Sequence, residues 1–323
     1  MRTQIAWLTR RSGDLMSEKI MSMTEAVKKF VCDGDLVFLG GFGNCMTYSA
    51  AHELIRQGKK NLKITKAAGG IMFDQLIGAN VTNHVITSHI WNGIGPQPAW
   101  NFRRATEKGI PEPLTVNEQS LFGLNMSYFA GYMNIPFMPI RSLIGTSIFD
   151  TPKEVGEKAA ILKSPFSDEE ICVVPAIKPD VGFIHVQRVD SGGNAQMWGV
   201  IGDSKFGINA CKKIVVVAEE IVDRFVISEC PEKTVAVGFR VNAIVHEPWG
   251  GHPGGVQGFY NNDLEYTYNY SQETETVEGW ENWLEKWVLS VENRSEYLKV
   301  LGIEKMEQLR ARSLIKGAVN YGF

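Results

Sequence analysis

The sequence predicts an α/β fold with an open, mostly parallel sheet, flanking helices and a helical C-terminal region. Short apolar segments alternate with segments of helical periodicity over the first 133 residues, which is typical of β-loop-α units. Loops rich in glycine or asparagine follow three of the predicted strands. Ligands of parallel sheets bind beyond the carboxyl ends of the strands, so these loops predict a binding site.

The composition indicates a globular protein and excludes several function classes. The chain has 323 residues, a net charge of -3 and 44% hydrophobic residues, so it can bury a large core but offers no basic field for nucleic acid. No apolar run approaches the roughly 18 residues of a membrane helix. The five cysteines are widely spaced without a CxxC motif, which favours a reducing compartment, and we expect the protein in the cytoplasm.

The N-terminus is expected to form a flexible extension over residues 1–20, followed by a single domain over residues 21–323. The first twenty residues lack the apolar core of a secretory signal, and Met16 and Met21 are alternative start positions. Residues 22–25 match a capping box and predict a helix through Phe30.

The stretch at residues 33–43 is the first site candidate. Turn-forming residues precede an apolar run at 36–39, which predicts a buried strand, and a helix is predicted over 48–57. The glycines between them permit a positive φ or a close approach to a ligand. Such a turn presents backbone N–H groups to an anion or an oxyanion, although a plain β-α connection is the alternative interpretation. The candidate substrate-binding residues here are Gly40, Gly41, Phe42 and Gly43.

Two similar loops follow. Strands are predicted at 62–65 and 85–90, and the loops behind them supply three further candidates, Gly69, Gly70 and Asn92. Helices are predicted over 97–108 and 120–133, the second being apolar on most faces and therefore expected to be buried.

The second half of the chain is predicted to begin with an irregular excursion at 145–165. Sheet structure then returns, and Glu219 and Glu220 are expected to open a helix behind one of the strands. The chain is expected to be helical from about residue 277. The predicted strands lie at 171–176, 181–187, 196–199, 214–218 and 243–246.

Few side chains match a known catalytic motif. No GxSxG, P-loop lysine or GxGxxG sequence is present, and the six histidines show no metal-ligand spacing, so no metal site is expected. His185 lies in an apolar run and is expected to be a hydrogen-bonded core residue. His252, in a glycine-rich loop, is a candidate positioning or catalytic group. Arg103 is a candidate for binding a substrate carboxylate or phosphate, with a solvated helix face as the alternative.

Taken together, the segments resemble family I CoA-transferase α subunits. The resemblance lies in residues 33–43, in the segments 180–185 and 218–222, and in the Pro-Trp-Gly-Gly-His-Pro sequence at 248–253. Glutaconate-type α subunits are the most similar, through the segments 67–70, 76–78 and 135–139. The resemblance implies the CoA-transferase fold, which is NagB/RpiA-like.

The resemblance also implies a function. Such enzymes move coenzyme A, which is a substrate rather than a tightly bound cofactor, between acyl-CoA and carboxylic acids. The nucleophilic glutamate lies in a Ser-Glu-Asn-Gly motif of a β-type partner, and this chain lacks that motif. We therefore expect the chain to form one wall of the site in an α2β2 assembly, with no role in binding nucleic acid or membrane.

Alternatives remain within and outside this family. Related subunits act in a CoA-thioester ring hydrolase, for which Glu118 is a candidate base, or in a glutaconyl-type decarboxylase. A non-catalytic acyl-CoA-binding or scaffold subunit is the alternative from another class. The chain departs from the glutaconate-type pattern at Met46, Thr47 and Tyr48, which replace a basic pair and a proline, so the identity of the acyl group stays open.

Overall fold

Two sheets run through the part of the chain that the computed structural model describes, residues 18–92, 98–150 and 158–311. In chain order their strands are Leu36–Leu39 (β1), Leu62–Thr65 (β2), Thr82–Thr87 (β3), Thr115–Glu118 (β4), Phe137–Ile140 (β5), Ala160–Lys163 (β6), Glu170–Pro175 (β7), Val181–Asp190 (β8), Ala195–Gln196 (β9), Lys213–Val222 (β10), Thr234–Ala236 (β11) and Val241–His246 (β12).

The main sheet is mostly parallel, as predicted. Strands β4, β3, β2, β1, β8, β10 and β12 lie side by side in that order, and every one of these pairings is parallel. The short strands β9 and β11 add an antiparallel extension beside the far end of β8. Because the seven strands share one direction, the loops at their carboxyl ends meet at one edge of the sheet.

Helices flank this sheet and form the C-terminal region. They are Met23–Phe30 (α1), Tyr48–Arg56 (α2), Gly70–Gly78 (α3), Trp100–Lys108 (α4), Leu121–Met133 (α5), Ser204–Ala210 (α6), Arg224–Ser228 (α7), Leu264–Glu273 (α8), Val277–Leu284 (α9), Arg294–Leu301 (α10) and Ile303–Leu309 (α11). Short 3-10 turns lie at Pro231–Lys233 and Gly238–Arg240, and a π-helical turn at Glu285–Leu289. None of the helices within the described ranges is long and apolar enough to cross a membrane.

Strand β1 is buried on both faces, which explains its uninterrupted apolar sequence. Val37 and Leu39 join the core beneath α2 and α3, whereas Phe38 points to the opposite core. There the ring of Phe38 packs edge-on against Tyr128, with 5.3 Å between ring centroids. A Cβ atom at Gly207 would overlap this ring, so glycine lets α6 lie directly on the strand.

The first helices and strands largely match their predictions. The capping box is present, since Ser22 accepts from the Glu25 amide and the Glu25 side chain accepts from the Ser22 amide. Strand β3 begins and ends three residues before its predicted position at 85–90. The helices α3 and α6 and the strand β4 were not predicted, because α3 is apolar around most of its surface and the other two are short.

Among the later elements one expectation was wrong, and two others were incomplete. Glu219 and Glu220 belong to β10, which continues through Val222 because β8 pairs with it along its whole length. The segment around 145–165 contributes β6 to a second, three-stranded antiparallel sheet of β5, β7 and β6. The chain is helical from Val277, as predicted, and a further helix, α8, precedes this region at Leu264–Glu273.

Helix α5 is also less buried than its apolar sequence predicted. Leu121, Phe122, Tyr132 and Met133 are exposed, because α5 packs on the core through only part of its surface.

The predicted N-terminal extension is only partly described. Residues 1–17 lie outside the described ranges, whereas Lys19 and Ile20 already pair with β12, where the Ile244 amide donates to the Lys19 carbonyl at 2.8 Å. The described fold therefore includes the last residues assigned to the extension.

A buried carboxylate connects three helices. Asp74 of α3 is fully buried and accepts hydrogen bonds from the Phe102 amide of α4 at 2.7 Å and from the Tyr270 hydroxyl of α8 at 2.6 Å. Asn101 donates a third hydrogen bond at 3.2 Å. Burial raises the pKa of the Asp74 carboxyl, and these donors oppose that shift.

We expect Asp74→Ala to destabilise the fold by about 3 kcal/mol, because it leaves a buried amide and a buried hydroxyl without an acceptor. Urea unfolding of the protein purified with its partner measures this. Asp168→Ala is the control: the Asp168 side chain is fully exposed and pairs only with Lys163, so the change should stay within about 0.5 kcal/mol. An equal effect of both substitutions would contradict the structural role of Asp74.

Candidate functional site

A cleft of about 320 Å³ opens at the carboxyl edge of the parallel sheet. The loops after β1, β2 and β3 form one side of it, and the loop after β12 together with the start of α8 forms the other. Four of the candidate residues line this cleft: Phe42, Gly43, Gly70 and Asn92. The β-loop-α alternation of the sequence predicts this convergence, because loops after parallel strands lie at one edge of the sheet.

The first glycine loop uses most of its amides to hold its own shape. Gly40 donates to the Phe183 carbonyl at 2.9 Å, Gly41 to the Ser204 hydroxyl at 2.9 Å, and Phe42 to the carbonyl of Asn44 at 3.1 Å. Gly43 is exposed, and no acceptor for its amide is found among the described residues. Within residues 40–43, the Gly43 amide is therefore the group available to a ligand.

The glycines of this loop serve different purposes. At Gly41 (φ +100°) a Cβ atom would overlap the carbonyl of Cys45 and lie 2.7 Å from Cα of Met46, so glycine is required by the loop itself. At Gly43 (φ +65°) a Cβ atom would meet nothing within 4 Å. Open space beside Gly43, rather than Gly41, is thus where a ligand can approach the backbone.

The second loop is held by the start of α6. Asp203 accepts a hydrogen bond from the Ala67 amide at 2.7 Å, and the next residue, Ser204, accepts the one from Gly41. Lys66 is fully buried, and burial lowers its pKa while the charge of Asp203 opposes that shift. Burial likewise raises the pKa of Asp203, opposed by Lys66. Two consecutive residues therefore fix both loops relative to each other.

Gly69 and Gly70 differ from each other as Gly41 and Gly43 do: one is required by packing and the other borders the cleft. A Cβ atom at Gly69 would lie 2.6 Å from the Phe73 ring, so this residue is needed for packing. Gly70 (φ +56°) opens α3 and lines the cleft. Gly70 and Ile71, the first two residues of α3, therefore bring the N-terminus of this helix to the cleft. The partial positive charge of a helix N-terminus favours an anion.

Asn92 connects the third loop to α8. Its side chain is buried and donates to the Thr267 carbonyl at 3.2 Å and to the Ser271 hydroxyl. The neighbouring Trp91 is 59% exposed at the cleft. The rest of this predicted loop, residues 93–96, lies outside the described ranges.

Arg103 and Glu118 lie away from the cleft. Arg103 borders a separate surface groove of about 420 Å³, pairs with Glu107 at 2.8 Å and lies over the Trp100 ring. Arg103 therefore lies on a solvated helix face, which is the alternative interpretation that the sequence analysis gives for this residue. Glu118 ends β4 and is exposed without lining the cleft.

His252 is fully buried and both of its ring nitrogens are engaged. Nδ1 lies 2.7 Å from the Tyr297 hydroxyl and Nε2 lies 3.2 Å from Asp263. Burial lowers the pKa of His252 to about 4, so the ring is neutral at pH 7. A neutral ring that donates to Asp263 accepts from Tyr297. The next residue, Pro253, lines the cleft, so the contacts of His252 hold the backbone beside this wall.

A second buried histidine supports the same loop. His185 contacts Glu219 at 2.7 Å, which confirms the prediction of a hydrogen-bonded core residue. Glu219 also accepts from the Tyr260 hydroxyl at 2.7 Å and from the Trp249 amide at 2.9 Å. Arg294 of α10 donates to the carbonyls of Trp249 and His252, the latter at 2.8 Å.

The described ranges contain no group of three or more His, Cys, Asp or Glu side chains arranged to hold a metal ion. The described lining of the cleft provides backbone amides, a helix N-terminus, aromatic side chains and the imidazole of His89.

A family model for coenzyme A transferase matches residues 20–247. The chain belongs to the coenzyme A transferase family. It is 33% identical over 280 residues to the A-type subunit of 3-oxoadipate CoA-transferase from Pseudomonas knackmussii, covering 86% of this chain and 96% of the relative. It is 29% identical over 305 residues to the A-type subunit of glutaconate CoA-transferase from Acidaminococcus fermentans, covering 90% and 94%.

Solved structures agree with this assignment. The crystal structure of glutaconate coenzyme A-transferase from Acidaminococcus fermentans matches with a TM-score of 0.85 at 28% identity, over 94% of this chain and 98% of that chain. A variant of the decarboxylase AibA/AibB shares the fold, with a TM-score of 0.71 at 24% identity, over 83% of this chain and 98% of that chain.

For this CoA-transferase family member, sequence reasoning missed much of the cleft. The missed lining residues are Met46, Tyr48, Ala68, Ile71, His89, Trp91, Pro253, Gly254, Asn262 and Thr267. Many of them are direct neighbours of predicted residues, so the loops were found but not the side chains that face inward. The sequence does not indicate that Asn262 and Thr267 belong to the cleft, because only the tertiary structure brings the loop before α8 and the start of this helix to it.

The two glycines of the first loop should respond differently to alanine. Gly41→Ala should lower both the melting temperature and the transfer rate, because the methyl group overlaps the loop backbone. Gly43→Ala should cost only about 1 kcal/mol of stability for its positive φ, yet lower kcat/KM about tenfold because the methyl group faces the cleft. Thermal melts and CoA-transfer rates of the co-purified complex measure both. Parent activity in Gly43→Ala would contradict this assignment.

The pH dependence of stability should change when His252 is replaced. Its folded pKa, about 4, lies below the ordinary 6.5, so between these values the unfolded chain binds a proton that the folded chain does not. This contribution is present above pH 6.5 and is lost, by up to about 3 kcal/mol, as the pH falls to 4. His252→Asn should therefore show a shallower loss of unfolding free energy between pH 6.5 and 4. Parallel profiles for parent and variant would contradict the pKa assignment.

Proposed function

We propose that this chain is the α subunit of a heteromeric enzyme that transfers coenzyme A between an acyl-CoA and a carboxylic acid. The two A-type relatives are matched over nearly their whole length, which supports the same role in the enzyme. The shared fold with glutaconate coenzyme A-transferase supports the same site position. The site residues on this chain would be those of the cleft, with Phe42, Gly43, Gly70 and Asn92 forming its wall.

One observation carries the division of labour: no described residue that lines the cleft is a glutamate or an aspartate. Transfer through a covalent intermediate requires a carboxylate that attacks the thioester carbonyl. Glu118 is exposed outside the cleft. The sequence nearest to the Ser-Glu-Asn-Gly motif is Ser-Val-Glu-Asn-Arg at residues 290–294, and its Glu292 is exposed ahead of α10. The nucleophilic glutamate is therefore assigned to a β-type partner.

The proposed reaction divides between the two subunits. The partner's carboxylate attacks the acyl-CoA carbonyl, thiolate leaves, and an anhydride forms; the thiolate then attacks the glutamyl carbonyl and releases the first acid. The second acid then reacts with the glutamyl-CoA thioester through the same steps in reverse, and it is released as its CoA thioester. Each attack creates an oxyanion, and the Gly43 amide with the first turn of α3 is the proposed donor set on this chain.

The assembly is proposed to be an α2β2 tetramer, since closed two-fold assemblies are common. Phe122, which follows β4 at the carboxyl edge, is 56% exposed and would suit an apolar interface there. Coenzyme A acts as a substrate, with no tightly bound cofactor. The described cysteines are free, which fits the reducing cytoplasm proposed as its location.

The hydrolase alternative receives less support. The cholesterol ring-cleaving hydrolase IpdA subunit of Mycobacterium tuberculosis is 25% identical over only 171 residues, half of this chain. The candidate base, Glu118, does not line the cleft. No described feature favours the decarboxylase, acyl-CoA-binding or scaffold alternatives over the transferase.

The chain should be inactive alone and active with its partner. Co-expressed with a β-type subunit, it should co-elute as a larger species and exchange coenzyme A between an acyl-CoA and labelled acetate. Replacing the glutamate of the partner's Ser-Glu-Asn-Gly motif by glutamine should abolish exchange while the complex still assembles, which separates loss of the nucleophile from loss of assembly.

Two outcomes would contradict this proposal. Full exchange by the isolated chain would place the nucleophile here, and release of free acid or carbon dioxide without label exchange would indicate the hydrolase or decarboxylase.

A further inference from the structure

The wall of the cleft carries no formal charge. None of the described residues that line it is a lysine, an arginine, an aspartate or a glutamate, and Nδ1 of its single imidazole, His89, lies 2.9 Å from the Ser88 hydroxyl. The Tyr48 hydroxyl stays neutral, because burial raises its pKa well above the ordinary value. A second anionic group on a ligand would therefore find no fixed cation on this wall.

The same wall is rich in apolar and aromatic side chains. Phe42, Met46, Ile71, Trp91 and Pro253 all contribute to it. Such a surface gains free energy when it covers an aliphatic or aromatic group and excludes water.

The cations named so far, Lys66, Arg294 and Arg103, do not line the cleft. Lys66 is fully buried without lining the cleft, and its charge interacts with Asp203. Arg294 is buried and binds the carbonyls of Trp249 and His252. Arg103 pairs with Glu107 in a different groove. None of these side chains is placed to neutralise a ligand carboxylate in the cleft.

The Gly43 amide and the first turn of α3 supply partial positive charge to the described lining of the cleft. That is enough for the single oxyanion of the reacting carbonyl.

On the basis of the function proposed above, we propose that this wall selects acyl groups with an apolar far end over those with a second carboxylate. The favoured substrates are monocarboxylic acids with an aliphatic or aromatic chain and their CoA thioesters. Removing a carboxylate from water without a cation is costly, whereas covering a methyl group is favourable. The selectivity differs from the acids named for the two relatives, glutaconate and 3-oxoadipate, which are dicarboxylates.

The test compares pentanoyl-CoA with glutaryl-CoA, which have equal carbon chains and differ by a terminal methyl group or carboxylate. The co-purified complex is assayed with labelled acetate as the acceptor, and kcat/KM is measured for each thioester. We expect pentanoyl-CoA to be favoured by about tenfold or more. Equal values, or a preference for glutaryl-CoA, would overturn the inference while leaving the proposed transferase intact. No transfer from either thioester would overturn the proposed function and this inference with it.

A charge introduced into the wall should change the preference. Trp91 is 59% exposed, so its replacement needs no repacking of the core. Trp91→Arg should shift the ratio of the two kcat/KM values toward glutaryl-CoA by about tenfold. Trp91→Gln, which alters the side chain without adding charge, should not shift the ratio in that direction, whatever it does to the rate. An equal shift in both variants would show that charge does not set the preference and would overturn the inference.

Discussion

The parallel pairing of β1 with both β2 and β8 is the constraint on which the cleft depends. Register places Phe38 opposite Thr65 on one side and opposite Gly182 on the other. The three strands therefore end at the same edge, and the chain must leave each of them through a loop there. A strand that can hold this central position needs apolar side chains on both faces, which is why β1 is an unbroken apolar run.

The loops at this edge are fixed from outside their own sequence. Asp203 and Ser204 accept amides from the second and first loops, and a fully buried Lys66 carries the compensating charge. Because these acceptors come from the start of α6, far along the chain, the two loops are rigid with respect to each other. Rigid placement of amide donors is what makes them effective for a developing oxyanion, since no reorganisation is needed during the reaction.

The opposite wall depends on buried polar groups that are almost fully paired. Glu219 connects His185, Tyr260 and the Trp249 amide, and Arg294 holds the carbonyls on either side of the Gly250–Gly251 turn. A buried network of this kind restricts the loop to one arrangement, because breaking any member leaves a charge or dipole without a partner. The C-terminal helices thus act on the cleft through Arg294 and through the Tyr297 contact with His252.

The sequence by itself determined the fold class, the edge of the sheet that carries the site, and the loops that meet there. It did so because alternating apolar segments, glycine turns and helix caps are local signals, as at residues 22–25 and 36–43. It also identified His185 as a core residue from its apolar neighbours.

Only the tertiary structure decided which side chains face the cleft. Gly41 and Gly43 look alike in the sequence. The space beside the Cα atom of Gly41 is occupied by its own loop, whereas Gly43 borders open space. Arg103 and His252 were chosen for their chemistry, but Arg103 pairs with Glu107 and His252 is enclosed by Tyr297 and Asp263. Partners from distant parts of the chain set the exposure of these groups, and no local pattern records such partners.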